Sequence, residues 1–324
     1  MNEESLLKRI ASLMSTRDET FVKVGPGDDC AVFDWPAGAK LLATVDHLVE
    51  GRHFEGPIIS LTSLPPLSAL GTTTSAIARK AIARSVSDIA AMAGTPVACL
   101  ATAAFPAAFP QALAEELVDQ FQIWGRHFNC PTVGGDLTSL AAGSACVFTV
   151  TALGIAHPSR GPVLRSGARR GDLVVVTGQV GGSLNSGRHL TFEPRIREGS
   201  LLAESLGSAL HAMMDISDGL GLDAARLARA SNLAIEIDSS AIPLHADIAD
   251  PVQACRDGED YELLFTIDRH ASLDQARELF AAASISTPLT IIGRVIGATS
   301  ETPHCALNHA GNRLDISNLG WQHT

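Results

Sequence analysis

The chain has no Cys-x-x-Cys pair, no long basic stripe, no clean apolar run of membrane-spanning length and no Gly-x-x-x-x-Gly-Lys-Ser/Thr motif. Each absence closes a class of function. The six cysteines, at 30, 99, 130, 146, 255 and 305, are too scattered for a disulfide scaffold and read as the reduced thiols of a cytoplasmic protein. A formal net charge of -11, with 24 basic against 35 acidic residues, argues against a nucleic-acid or anionic-membrane partner. The most apolar stretch, 97–114, is broken by Pro106, Pro110 and Gln111, so it reads as strand, turn and helix start instead of a span. The acidic start runs into an expected amphipathic helix carrying Leu6, Leu7, Ile10, Leu13 and Met14, unlike a signal peptide. Without a Walker-type loop, classical P-loop chemistry is excluded at motif level.

What is present fits an ordinary globular chain. With 324 residues and 46% hydrophobic content, the length prior of roughly 150 residues per domain gives two domains. The segment 157–171 is rich in Gly, Pro and Arg and lacks periodicity, so the junction is placed there, with units 1–156 and 157–324. Strands are expected at 41–46, 146–155, 172–177, 213–216, 234–238, 261–267 and 289–295. Helices are expected at 68–93, 110–127, 219–230 and 270–283, the second with Leu113, Leu117, Phe121 and Trp124 on a face that packs on a sheet. Strands and helices alternate in both units, which gives an α/β (α+β) class.

Five acidic motifs stand out: Gly27-Asp28-Asp29, Thr44-Val45-Asp46, Ser87-Asp88, Gly134-Gly135-Asp136 and Asp215-Ile216-Ser217-Asp218-Gly219. Asp beside Gly or Ser at the end of an apolar run puts a hard oxygen ligand on a turn where a phosphate can approach the backbone. Carboxylates repel phosphate unless a divalent cation lies between, so metal ligation is one reading and solvated turns are the other. Asp46 is expected at a strand end, with His53 seven residues on. Lys80, Arg84 and Asp88 recur at i, i+4, i+8 on one helix face, either as an exposed charge ladder or, given Val86, Ile89 and Met92 beside it, with Asp88 buried. The glycine-rich turn at 178–182 invites phosphate, and Ser217 and Asp218 read as caps of a helix whose N-terminus offers free N–H groups.

Taken in order with Arg165, Gly258-Glu259-Asp260-Tyr261-Glu262 and Trp321, these motifs resemble the thiamine-monophosphate kinase family of the aminoimidazole-ribotide-synthetase-like ATP-binding superfamily. The resemblance implies a two-domain fold whose N-terminal domains pair across a homodimer into a β-barrel. It implies transfer of the γ-phosphoryl group of ATP onto thiamine monophosphate with several Mg²⁺ ions and no general base. Asp29, Thr44, Asp46, Asp88, Asp136, Asp215 and Asp218 would be Mg²⁺ ligands. Gly135, Asp136, Arg165 and Ser217 would contact ATP, and His53, Glu259 and Trp321 the thiamine moiety. The chain departs from the family pattern at Val45, Ser85, Leu137 and Arg256-Asp257. The alternatives are another ATP-dependent synthetase of the superfamily and a non-catalytic nucleotide- or metal-binding paralogue.

Overall fold

The computed structural model describes residues 22–24, 28–34, 38–62, 71–299 and 302–322. The expected N-terminal helix and Gly27 lie outside them. In chain order the elements are β1 (Val22–Val24), β2 (Ala31–Asp34), β3 (Lys40–Val49), β4 (Ile58–Ile59), β5 (Thr72–Thr73), α1 (Thr74–Ala91), β6 (Thr95–Pro106), α2 (Gln111–His127), β7 (Thr132–Leu140) and β8 (Val147–Ile155). There follow β9 (Leu173–Thr177), α3 (Ser183–Ser186), α4 (Ile196–Leu206), β10 (Leu210–Asp215), α5 (Leu220–Ala230) and β11 (Leu233–Asp238). The last are α6 (Pro251–Arg256), β12 (Leu263–Ile267), α7 (Asp274–Ala282), β13 (Leu289–Gly297), β14 (Cys305–His309) and β15 (Asn312–Asp315).

The first sheet has the order β1-β2-β3-β8-β6-β7, antiparallel except for β6 beside β7. Strict alternation on β3 and β8 sends Leu42, Leu48, Phe148, Val150 and Ala152 to one face, where Ile77, Ile82, Val86 and Ile89 of α1 meet them. Burial of side chains of this size stabilises by about 1.5–3 kcal/mol each. The opposite face has no such cover among the described residues: Val45 is 58% and Leu100 42% exposed. The sheet is open, with β1 and β7 at its edges.

Helix α1 starts where the Thr73 hydroxyl accepts from the Ala76 N–H at 3.2 Å and stops before Gly94, whose N–H returns to the Ile89 carbonyl at 2.8 Å. Most of its residues are buried, because the sheet, α2 and α4 all pack against it. That burial carries Asp88 into the molecule and excludes the exposed charge ladder. Helix α2 was expected on a sheet but packs mainly on α1, with the Trp124 indole donating to the Ser75 hydroxyl at 2.9 Å.

The second sheet, β10-β12-β9-β13-β11-β14-β15, is covered on both faces. Val174 and Val176 point to the side of α5, while Val175 joins Leu202 of α4 and Phe280 of α7 on the other. Two-sided cover is why the 173–177 run is apolar throughout instead of alternating. Its strands pair mostly antiparallel, with β11 and β14 parallel.

Candidate active site

Three elements that are distant in sequence deliver one cluster. Asp29 precedes β2, Asp88 rides near the end of α1 and Asp215 ends β10, and one carboxylate oxygen of each lies within 4.8 Å of the others. Hydroxyl donors fix two of them: Thr44 of β3 donates to Asp88, and Ser87 donates to Asp215 Oδ2 at 2.6 Å. Arg165 grips Asp29 with Nε at 2.9 Å and Nη2 at 2.6 Å, while its backbone N–H donates to Asp28 Oδ2 at 3.1 Å.

The electrostatics of this cluster are unfavourable without a cation. Burial, then the neighbouring acids, pushes Asp88 well above the usual carboxylate range, and burial followed by Asp29 does the same to Asp215. Asp28 is pushed up to about 6, first by burial and then by Asp29. Burial opposes the charge of Arg165, but Asp29, Asp28 and Asp215 outweigh it and hold the guanidinium firmly charged. Among the described residues Arg165 pairs with Asp29 and Arg84 faces Asp46 and Asp88, fewer cations than the carboxylates gathered there. The donor set is all hard oxygen, with no thiolate or imidazole in the cluster, so it fits Mg²⁺ better than zinc.

Above the cluster opens a cavity of about 490 Å³ lined by residues of both units, among them Asp46, His53, Asp88, Asp215, Ser217 and Asp218. Glu259, Tyr261, Arg256 and Trp321 complete the wall. Asp46 does not end its strand, since β3 continues to Val49; it stands in the strand, 3.7 Å from Arg84 and within 3.3 Å of the Ser85 hydroxyl. Asp218 takes a hydrogen bond from Arg226 at 2.5 Å. The Arg52 guanidinium lies 5.2 Å from the Trp321 ring centre, and the Trp321 backbone N–H donates to the Asp218 carbonyl at 2.8 Å.

Gly135 and Asp136 are elsewhere. Cα pairing across the sheet puts Asp46, Val150, Ala101 and Gly135 in one row, and His47, Thr149, Thr102 and Asp136 in the next. Three strand spacings separate Asp136 from the level of β3, about 14 Å. Pleat alternation also turns Asp136 to the open face, with His47 and Thr149, whose side chains meet at 2.8 Å, and away from Asp46. Gly135 has a reason of its own: a Cβ there would come within 1.7 Å of the Ala101 carbonyl oxygen.

Two expected anion sites are already filled by protein carboxylates. The N–H groups of Ser217, Asp218 and Gly219 all donate to Asp223 Oδ2, at 3.1, 2.9 and 3.1 Å, so Asp223 and neither Ser217 nor Asp218 caps the turn into α5. In the 178–182 turn, Gly181 N–H donates to Asp260 and Gly182 N–H to Asp257, both at 2.9 Å. Asp223 sits one turn into α5, and an acid at that spacing from Ser-Asp-Gly was the available signal. Arg52, Arg84 and Tyr261 were also missed as parts of the wall, and Lys80 as the buried residue behind it that donates to Glu259.

The fold and cleft define a two-domain protein of the AIR synthase related class: residues 27–156 match that family's N-terminal domain and residues 169–305 its C-terminal domain. Within that class the chain belongs to the thiamine-monophosphate kinase family. It is 32% identical over 300 residues to the thiamine-monophosphate kinase of Rhodopirellula baltica, covering 88% of this chain and 87% of that one. It is 30% identical over 329 residues to that of Escherichia coli K12, covering 93% and 92%. The solved structure of AaThiL complexed with AMPPCP and TMP superposes with a TM-score of 0.76 at 27% identity, over 100% of this chain and 97% of that one.

Proposed function

We propose that this kinase transfers the γ-phosphoryl group of ATP to the phosphate of thiamine monophosphate, giving thiamine diphosphate and ADP in the cytoplasm. One observation carries the reading: an all-oxygen acid cluster of Asp29, Asp88 and Asp215 lies at the base of a cleft whose wall carries His53, Glu259 and Trp321. No described helix is long and apolar enough to cross a membrane.

Asp29, Asp88 and Asp215 would hold Mg²⁺, with Thr44, Asp46 and Asp218 within the same neighbourhood and Asp136 as a further ligand. When bound, Mg²⁺ neutralises and aligns phosphate oxygens, which is most of what phosphoryl transfer asks of a protein. In the transfer the bond between the γ-phosphorus and its bridging oxygen breaks, ADP leaves, and an acceptor phosphate oxygen forms the new bond. That oxygen is already largely ionised at pH 7, with a second pKa of about 6, so the cleft needs no base. Arg165 fixes Asp29, Ser87 fixes Asp215 and Thr44 fixes Asp88, so the ligand oxygens are held before either substrate arrives. Ser217 and Arg165 stand on the ATP side. Trp321 and Glu259 suit a cationic heteroaromatic ring.

The open sheet face supports a homodimer. Its exposed apolar residues Val45, Val97 and Leu100 are the kind that a second copy covers, and edge pairing of β7 with the first strands of that copy would close a barrel. In that arrangement Gly135 and Asp136 serve the cleft of the partner. Residues 1–156 are then the metal-binding and dimer-forming unit, and 157–324 complete the nucleotide and acceptor site. Of the departures, Val45, Ser85 and Leu137 do not line the cleft, whereas Arg256 and Asp257 do, so the paralogue reading now rests on the shape of the acceptor pocket and not on the acid cluster.

The test is Mg²⁺-dependent ADP release with product analysis, using thiamine monophosphate, thiamine and the acceptors of related synthetases. Thiamine diphosphate is expected from the first alone. Binding of ATP with no diphosphate product would favour the paralogue, and turnover of another acceptor would favour a synthetase.

A further inference from the structure

Helix α1 carries an ammonium among its fully enclosed residues: Lys80 is 0% exposed. A buried lysine persists only when its donors are matched, and this one has three acceptors for its three N–H bonds. They are the His53 carbonyl at 2.6 Å, His189 Nδ1 at 2.8 Å and Glu259 Oε2. The three acceptors come from separate segments: the turn after β3, the single turn at Arg188–Leu190 and the loop before β12.

The last of these is a loop the backbone does not favour. Glu259 has φ +63° and Tyr261 φ +53°, left-handed values that cost free energy in residues with a Cβ. Backbone bonds hold part of it, from Glu259 N–H to the Ser217 carbonyl at 2.7 Å and from Tyr261 N–H to the Ile216 carbonyl at 2.8 Å. These fix the chain but leave the Glu259 side chain free to turn. Burial raises the Glu259 carboxyl, but His189 and Lys80 outweigh it and bring it down to about 2, so it is a carboxylate. Its Oε2 accepts from Lys80, and His189 Nδ1 lies 3.2 Å away, where it accepts from Lys80 as the neutral ring and donates to Glu259 only when protonated, while no hydrogen bond reaches the other Glu259 oxygen among the described residues.

We infer that Lys80 is a positioning residue for the acceptor: it acts through Glu259, pinning one carboxylate oxygen so that the other faces the cleft for a cationic or N–H-donating heteroaromatic ring. The inference rests on the kinase reading for the identity of that ring. It concerns neither the metal ligands nor the nucleotide side.

The experiment compares Lys80→Met, Glu259→Gln and the double variant by steady-state kinetics with ATP and thiamine monophosphate. K80M should raise KM for thiamine monophosphate about tenfold or more and leave KM for ATP within about twofold. E259Q should behave alike, and the double variant should be no worse than the worse single, because both remove one interaction. Equal rises in both KM values, or single effects that multiply in the double variant, would overturn the proposal. Should K80M fail to fold, Lys80→Arg decides: an acceptor KM within about threefold of wild type supports the positioning role, and one as high as in E259Q refutes it. Wild-type turnover of thiamine monophosphate is measured first, and its absence would sink the kinase reading alone. Amide exchange across 257–261 then judges Lys80, with faster exchange in K80M than in K80R expected and equal exchange contrary to the inference.

Discussion

Two acidic regions built from nearly the same words behave as opposites. Ser87-Asp88, at the end of a helix buried on most sides, meets Asp29 and Asp215 within 4.8 Å inside one chain. Gly134-Gly135-Asp136, on the edge strand β7, stands exposed on the uncovered sheet face, with no acid cluster around it among the described residues. The difference lies in the neighbours and not in the motif. An element packed on several sides completes its site in cis, whereas an element at an open edge completes one only by meeting something else.

The largest effect should come from removing one charge on each side of that comparison. Asp88→Asn keeps the shape and the acceptor for Thr44 but discards a ligand charge, and turnover should fall at least ~100-fold. Asp136→Asn should also lose turnover by a large factor. Thermal denaturation separates them. Mg²⁺ at about 100 times its Kd adds about 2.7 kcal/mol to a protein that binds it only when folded. Wild type and D136N should both show that rise after chelation and readdition of metal, and D88N should not. A rise in D88N equal to that of wild type would remove the cluster from the metal site.

A smaller but sharper effect follows from mixing. If each cleft uses its own Asp88 and the Asp136 of the second copy, a D88N/D136N heterodimer has one intact cleft and one doubly damaged cleft. Random reassortment of the two inactive proteins then restores about a quarter of wild-type activity. Restoration to that level breaks the apparent isolation of Asp136. No restoration, with exchange of subunits verified by mass, would mean that Asp136 has no role in the partner cleft.

The sequence showed the acids but not their company. Alternation and apolar periodicity were enough for the main strands and for α1, because those signals are local. The inward, half-buried placing of Asp88 was also legible, from Val86, Ile89 and Met92 around it. What stayed hidden was which acid serves as a ligand and which fills an anion hole within the protein. Asp223 takes three N–H donors that a free helix N-terminus would have offered to phosphate, and Asp257 and Asp260 do the same in the glycine-rich turn. Such pairings join residues four to about eighty positions apart, and nothing in local spacing marks the distant ones. The open face was invisible for the converse reason. Val45 and Leu100 alternate like core residues, and only the sheet order and their exposure show that no described helix lies over them.

Asp260 offers the mildest test, since it belongs to neither region. Its Oδ2 accepts from Gly181 N–H at 2.9 Å, its Oδ1 is buried without a partner among the described residues, and burial pushes its carboxyl up to about 8. Below the unfolded value of 3.8 both states hold the proton, so the contribution of this group to stability is fully present there. Between pH 4 and 8 the unfolded chain releases the proton while the folded chain keeps it, and stability falls as pH rises. Asp260→Asn presents the same neutral shape at every pH and abolishes that slope. In metal-free urea denaturation the advantage of D260N over wild type should therefore grow by a few kcal/mol from pH 5 to pH 8, with turnover changed no more than about twofold. A constant difference across that range would mean that Asp260 is already ionised beside the cleft. The pH-dependent cost of burying acid would then belong to the cluster of Asp29, Asp88 and Asp215, which a cation can relieve, and not to the wall that supports it.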